Sequence, residues 1–311
     1  MKVWQPFHDL VETTGTVPAG IEMTVWDGVD GVPGDAAAVE AMVVPYLASE
    51  RAIELLPELP ALRLLQTLTA GTDALAGRIP ATVTVCNARG LHDTATAEQA
   101  LTLLLAARND VAAYERQRQH GVWRTIRQRP GLADASVVLL GYGSIGKAIE
   151  ARLAPFECRL TRVARTARDT DAGHVHAFGE LADLVGDADV LVVVAPLTPE
   201  TTGLVGADVL ARLPDGALVV NVGRGAIVDT DALVAELSRG RLEAALDVTD
   251  PEPLPPGHPL WTVPGLTLLP HIGGHSRAFE PRARRLVADL LARLGRGEQP
   301  LNLVDGLGAR A

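Results

Sequence analysis

Six short apolar runs follow one another through the second half of the chain: Val137–Leu140, Leu160–Val163, Val190–Ala195, Ala217–Val222, Ala244–Val248 and Leu266–Leu269. Most of them are nearly all apolar. A strand with one wet face alternates apolar and polar residues, whereas a strand buried on both faces does not, and double burial is the condition of a parallel sheet covered by helices. Helical patterns stand between several of the runs, among them Ile145–Leu153 and Thr230–Leu237. Buried strands joined by crossover helices predict an α/β fold built on a doubly wound parallel sheet.

The chain has 311 residues, more than one such core needs. The first part has its own alternation: strands over Met23–Trp26, Leu62–Leu68 and Thr82–Cys86, helices over Asp35–Met42 and Ser49–Leu56. That predicts a second, smaller α/β domain. A stretch without Gly or Pro, Thr96–Gln119, predicts one long helix, and Arg277–Leu294 predicts a last helix that returns to the smaller domain. The expected division is 1–97 with 278–311 for the smaller, substrate-binding domain and 98–277 for the larger one. Aromatic residues are only 4% of the chain, so both cores must be built from Ala, Val and Leu.

Gly141-Tyr142-Gly143-Ser144-Ile145-Gly146 fits G-x-G-x-x-G. Alone the pattern is weak, but here an apolar run precedes it and a helix pattern follows. Gly141 allows a tight turn, Gly143 lets backbone approach a pyrophosphate, and Gly146 lets helix pack on strand. The helix start at Ser144 and Ile145 then offers N–H groups to phosphate. These residues predict dinucleotide binding on a Rossmann-type sheet. At the end of the second strand an acidic residue ordinarily holds the ribose 2′-hydroxyl of NAD. Ala164 stands there instead, followed by Arg165, Thr166 and Arg168. A carboxylate would repel a 2′-phosphate and a guanidinium would pair with one, so NADP is expected, with Arg165 and Thr166 as its contacts and NAD as the alternative. Arg162 reads as a solvated surface charge.

Ligands of open α/β sheets sit beyond the carboxyl ends of the strands. Three ionisable residues lie there, each after a different strand: Arg224, Glu252 and His271. A guanidinium can grip a carboxylate with two hydrogen bonds. An imidazole can donate a proton near neutral pH, and a carboxylate beside it stabilises its protonated form. The combination suits reduction of a 2-keto acid, whose carbonyl oxygen gains negative charge as hydride arrives. A lone arginine or glutamate is usually a solvated charge, so the argument rests on the triple. Among the other histidines, His275 either lines the same pocket or caps the next helix.

Asn221-Val222-Gly223-Arg224-Gly225, Leu246-Asp247-Val248 with Glu252-Pro253-Leu254-Pro255, Pro270-His271-Ile272-Gly273-Gly274 and Pro196-Leu197-Thr198-Pro199-Glu200-Thr201 resemble signature segments of the D-isomer-specific 2-hydroxyacid dehydrogenases. So do Leu65-Gln66-Thr67-Leu68-Thr69-Ala70-Gly71-Thr72-Asp73 and Asn87-Ala88-Arg89-Gly90 leading to Ala97-Glu98, all in the family's order over about residues 60 to 302. The resemblance implies a flavodoxin-like smaller domain and a homodimer with the long helix near Glu98 at the interface. It implies Arg224 on the substrate carboxylate, His271 as general acid paired with Glu252, and main-chain N–H groups of Ala70, Gly71 and Thr72 on that carboxylate. It also implies Pro196 and Thr201 lining the cofactor and Asp247 near the nicotinamide carboxamide. The missing acid at Ala164 is similar to the NADPH-using glyoxylate and hydroxypyruvate reductases. Two alternatives share the scaffold: oxidation of phosphite or a phosphorylated hydroxy acid, for which Arg89 is the nearby cation, and a dinucleotide-sensing regulatory protein.

The formal net charge of −10 argues against nucleic acid or anionic membrane as partner. Two cysteines, Cys86 and Cys158, make no disulfide framework, and Met1–Pro6 has no apolar stretch of the signal-peptide kind. The expectation is a cytoplasmic enzyme acting on a small anionic keto or hydroxy acid without a metal.

Overall fold

The computed structural model describes every residue except 12–14, 16, 305–306 and 308–311. It divides into two units, Met1–His92 with Ser276–Ala311, and Asp93–His275. The boundaries of 97/98 and 277/278 expected from the sequence therefore move to 92/93 and 275/276. The helix they were drawn around begins at Asp93. It belongs wholly to the larger unit, because Ala97, Ala100, Leu103 and Leu104 are buried in that unit's core.

The smaller unit holds a five-stranded sheet in the order β2-β1-β3-β4-β5. The strands are β1 (Lys2–Gln5), β2 (Glu22–Val25), β3 (Ala41–Val43), β4 (Leu64–Gln66) and β5 (Thr84–Cys86). Every pair is parallel. This is the flavodoxin-like order, with β1 and β3 at the switch point. Side chains alternate between two cores: Trp4, Met42, Leu65 and Val85 pack with Ala52 and Leu55 of the helix Ser49–Leu55. Val3, Ala41, Val43, Leu64 and Cys86 pack with Ala283, Val287 and Leu290 of the helix Phe279–Gly295. The helix expected over Asp35–Met42 does not form. A single 3-10 turn, Ala36–Ala38, leads into β3, whose three residues are all buried between β1 and β4. Burial on both faces outweighs the helix preference of Ala and Met.

The larger unit holds eight strands in the order β13-β12-β11-β10-β6-β7-β9-β8. Six match the apolar runs: β6 (Ser136–Leu140), β7 (Arg159–Ala164), β10 (Val190–Val193), β11 (Leu218–Asn221), β12 (Glu243–Leu246) and β13 (Leu266–Leu268). The other two, β8 (Arg168–Thr170) and β9 (Gly173–Ala177), were not read from the sequence. β9 lies parallel to β7 as the third strand of the doubly wound order, with β8 antiparallel on the outer edge. Helices cover both faces. Ile149 and Leu153 of the helix Ser144–Leu153 join the core on one side, and Leu233 and Leu237 of Thr230–Ser238 the core on the other.

The long helix expected over Thr96–Gln119 is two helices, Asp93–Arg108 and Val111–Gln119. Asp110 breaks it in the left-handed region at φ 53°. Asn and Asp tolerate that region better than other side chains, and Asn109-Asp110 is the place in the stretch where the chain can turn.

Candidate active site

β11, β12 and β13 are neighbours in register, so the segments that follow them start side by side at the carboxyl edge of the sheet. Arg224 comes three residues after β11. Asn221, buried at the strand's end, shapes its turn: Asn221 Oδ1 accepts from Gly223 N at 3.0 Å, and Asn221 Nδ2 donates to Arg224 O at 2.9 Å. Gly225 sits so close to the next loop that a Cβ there would overlap the carbonyl of Thr249. Only glycine lets the Arg224 turn press against the loop that carries Glu252. Thr230 Oγ1 ties the same loop by donating to Asp250 O at 2.9 Å.

His271 follows β13 and Pro270. Its backbone lies in the left-handed region at φ 52°. His271 N donates to Asp247 O at 2.7 Å, which fastens this turn to the end of β12. Nδ1 of His271 stands 2.5 Å from Oε1 of Glu252. A carboxylate can only accept, so Nδ1 carries the hydrogen and Nε2 is the nitrogen left to gain or lose one. Both side chains are about 40% exposed, within reach of a ligand from solvent. Glu252 and His271 are thus brought together, and Arg224 lies on the adjoining turn with Nη1 donating to Gly223 O at 2.8 Å. His275, exposed, donates its N–H to Ile272 O at 2.9 Å.

The phosphate turn has the shape its glycines require. Gly141 adopts φ 111° and packs so tightly on Ala195 N that no side chain fits. Gly146 packs on Gly141 O. A Cβ at Gly143 would meet nothing within 4 Å, so this backbone faces open space just before the helix Ser144–Leu153. Ser144 Oγ donates to Asp93 Oδ1 at 3.0 Å, and Ile145 is half-buried. An open cradle of backbone at a helix start fits a pyrophosphate.

Arg165 pairs with Glu200 at 3.1 Å, both more than 60% exposed, and Thr166 is exposed beside it. Arg168 braces the phosphate turn, with Nη2 donating to Tyr142 O at 3.0 Å. Arg162 is no solvated charge. It is 15% exposed, pairs with Glu150 and lies over the Tyr142 ring. Tyr142 Oη donates to the same carboxylate. Burial works against ionised Glu150, but the bonds from Arg162 and Tyr142 together outweigh it and hold the carboxyl below its usual range.

Thr201 and Asp247, both expected at the cofactor, also make bonds inside the protein. Thr201 is buried, and its hydroxyl donates to Pro196 O at 2.7 Å while accepting from Thr198 N at 2.8 Å. It shapes the Pro196–Thr201 loop. Asp247 is 2% exposed, and its carboxylate accepts from Ile272 N at 3.0 Å, Gly273 N at 2.8 Å and Gln99 Nε2 at 2.8 Å. Its geometry ties it to the His271 turn.

In the smaller unit, Ala70, Gly71 and Thr72 follow β4. The carbonyls around them are tied inward: Thr69 O accepts from Thr67 Oγ1 at 2.8 Å, Ala70 O from Asn87 Nδ2 at 2.9 Å and Gly71 O from Thr69 Oγ1 at 2.8 Å. Among the described residues the N–H groups of Ala70, Gly71 and Thr72 make no backbone hydrogen bond, which suits them to an anion. The sequence shows Asn87 only as part of a segment, because a side-chain amide bound to a loop carbonyl leaves no signal of its own. Arg89 is exposed and donates its N–H to Asn87 Oδ1 at 3.1 Å.

Residues 101–273 match the family model described as D-isomer specific 2-hydroxyacid dehydrogenase, NAD binding domain. The chain is 35% identical to a glyoxylate reductase/hydroxypyruvate reductase of Mus musculus over 76% of its own length and 75% of the relative's. It is 32% identical to a glyoxylate reductase of Aeropyrum pernix over 91% and 90%. Among solved structures, a D-isomer specific 2-hydroxyacid dehydrogenase from Xanthobacter autotrophicus Py2 in complex with NADPH and MES is 30% identical, with TM-score 0.80 and 98% of each chain covered.

Proposed function

The chain belongs to the D-isomer-specific 2-hydroxyacid dehydrogenase family and is an NAD(P)-dependent oxidoreductase, and from that premise we propose that it reduces a small 2-keto acid such as glyoxylate or hydroxypyruvate to the D-2-hydroxy acid, with NADPH as the preferred donor. The observation that carries the proposal is the 2.5 Å contact of His271 Nδ1 with Glu252, on turns adjoining that of Arg224. When bound, a reduced nicotinamide supplies the hydride that the carbonyl carbon takes up. Arg224 grips the substrate carboxylate. His271 gives the proton on Nε2 to the carbonyl oxygen as negative charge develops there, becoming neutral with its Nδ1–H still held by Glu252.

The dinucleotide would be held by Gly141, Gly143, Ser144, Ile145 and Gly146 at its phosphates. Arg165 and Thr166 would meet the 2′-phosphate. An exposed pair such as Arg165–Glu200 is worth about 0–1 kcal/mol, so a dianionic phosphate can take the guanidinium from Glu200. The lack of an acid at Ala164 and the NADPH complex of the Xanthobacter relative support the same preference. Val111, Val122, Trp123 and Ile126 expose apolar surface, Trp123 completely, which supports a homodimer with a second copy covering it. No helix among the described residues is long and apolar enough to cross a membrane.

The test is a panel of glyoxylate, hydroxypyruvate, pyruvate and bulkier keto acids with each reduced cofactor, followed at the nicotinamide absorbance. Turnover of the small acids, faster with NADPH, is the expected result. No oxidation of either cofactor by any of them overturns the reading.

A further inference from the structure

The turn that carries His271 is not held by its own strand. Leu269 N makes the last bond to β12, at 2.9 Å to Leu246 O, and His271 then takes a left-handed backbone, uncommon for any residue but glycine. What fixes it comes from elsewhere. Asp247 grips the turn at three consecutive N–H groups: its main-chain carbonyl takes His271 N, and its two carboxylate oxygens take Ile272 N at 3.0 Å and Gly273 N at 2.8 Å. The two N–H bonds orient the carboxylate, and a third group ties it to the rest of the larger unit. That group is Gln99, 148 residues earlier in the chain, whose Nε2 donates to Asp247 Oδ1 at 2.8 Å. Gln99 is anchored in the rigid helix Asp93–Arg108, with Ala97 and Ala100 buried on either side of it. The fit is close, because a Cβ at Gly273 would stand 2.9 Å from Asp247 Oδ2 and 3.5 Å from Gln99 Cγ.

We propose that Gln99 is a positioning residue for the proton donor: by locking the carboxylate of Asp247 it fixes the His271–Gly273 turn, and with it the place of Nε2. This rests on the reading of His271 as general acid. The amide donates to Asp247 and takes no part in bond making, so Gln99 acts on the rate through geometry alone. The side chain needed is one that donates a hydrogen bond at this reach. Methionine has the length without the donor. Glutamate has the length and donates only when protonated.

The experiment compares Gln99→Met and Gln99→Glu with the parent enzyme in steady-state turnover of glyoxylate with NADPH, across pH, together with NADPH binding followed by fluorescence. Gln99→Met is expected to lower kcat about ten-fold, the scale of a small misplacement of a reacting group, with KM and NADPH dissociation within about two-fold. Gln99→Glu is expected to lose more at neutral pH and to recover relative to Gln99→Met as pH falls, because its protonated carboxyl regains the donor. In a His271→Ala background, Gln99→Met should leave the residual rate unchanged. Full kcat in Gln99→Met, an equal loss in the His271→Ala background, or a Gln99→Glu profile parallel to that of Gln99→Met each overturns the proposal. Should Gln99→Met not fold, the ratio of Gln99→Glu to parent kcat decides alone: it is expected to rise as pH falls, and a ratio constant with pH overturns the proposal. If His271→Ala by itself left turnover intact, the general-acid reading would fail instead, which separates the two failures.

Discussion

Replacing His271 by Ala removes the nitrogen that exchanges a proton, and turnover should fall by about 10²- to 10⁴-fold. NADPH binding by fluorescence should stay within about two-fold of the parent, and unchanged turnover would remove His271 from the chemistry. Glu150 carries a different test. Its folded-state carboxyl is held below the usual range by Arg162 and Tyr142, so its stabilisation is present above the unfolded value and is lost as pH falls through the folded one. Glu150→Gln should therefore lower stability by about 1–3 kcal/mol at neutral pH, and the difference should narrow as pH falls below the ordinary carboxylate range and through the lowered folded-state value. Thermal melts of the two proteins across pH measure it. Burial pushes the Cys86 thiol up to about 11. Cys86 should resist a thiol reagent in the native protein at mildly alkaline pH and react after unfolding.

Elements were legible where burial on both faces left an uninterrupted apolar run, as in β10 and β11, and where a turn needed glycines in fixed places. They were hidden where that signal was diluted. β9 reads Gly-His-Val-His-Ala and buries only Val175 fully, because it lies near the edge of the sheet. β3 has the composition of a helix and becomes a strand through its neighbours on both sides. In the site, the strand-end rule picked out Arg224, Glu252 and His271, but which side chains turn inward depends on distant partners. Asp247 and Thr201 could be located in sequence without revealing which backbone groups they bond. Gly225 shows how the elements depend on one another. Gly225→Ala forces a methyl into the Thr249 carbonyl, so the turns bearing Arg224 and Glu252 must separate. A loss of at least about 2 kcal/mol in denaturant unfolding and a large fall in kcat are expected, and a stable, active variant would mean that the two loops need not touch.

The two units differ in how the chain builds them. The larger is continuous, Asp93–His275, with a core on each face of its sheet, whereas the smaller needs both ends of the chain. Residues 93–275 made alone should melt cooperatively and bind NADPH, and a fragment without a thermal transition would show that the sheet does not stand by itself. Oligomeric state belongs to this scale too. Light scattering should give twice the mass of the chain, and Trp123→Glu should reduce it to one, since a fully exposed tryptophan has little reason to persist on a monomer.

A positive φ on a β-unbranched aromatic side chain raises the energy of the native state by about 1 kcal/mol, a penalty that glycine at the same place does not carry. Selection for robustness alone would erase the imidazole from position 271. A variant library screened only for heat resistance should therefore enrich glycine there and, in doing so, drift toward proteins that outlast the parent and turn over far more slowly.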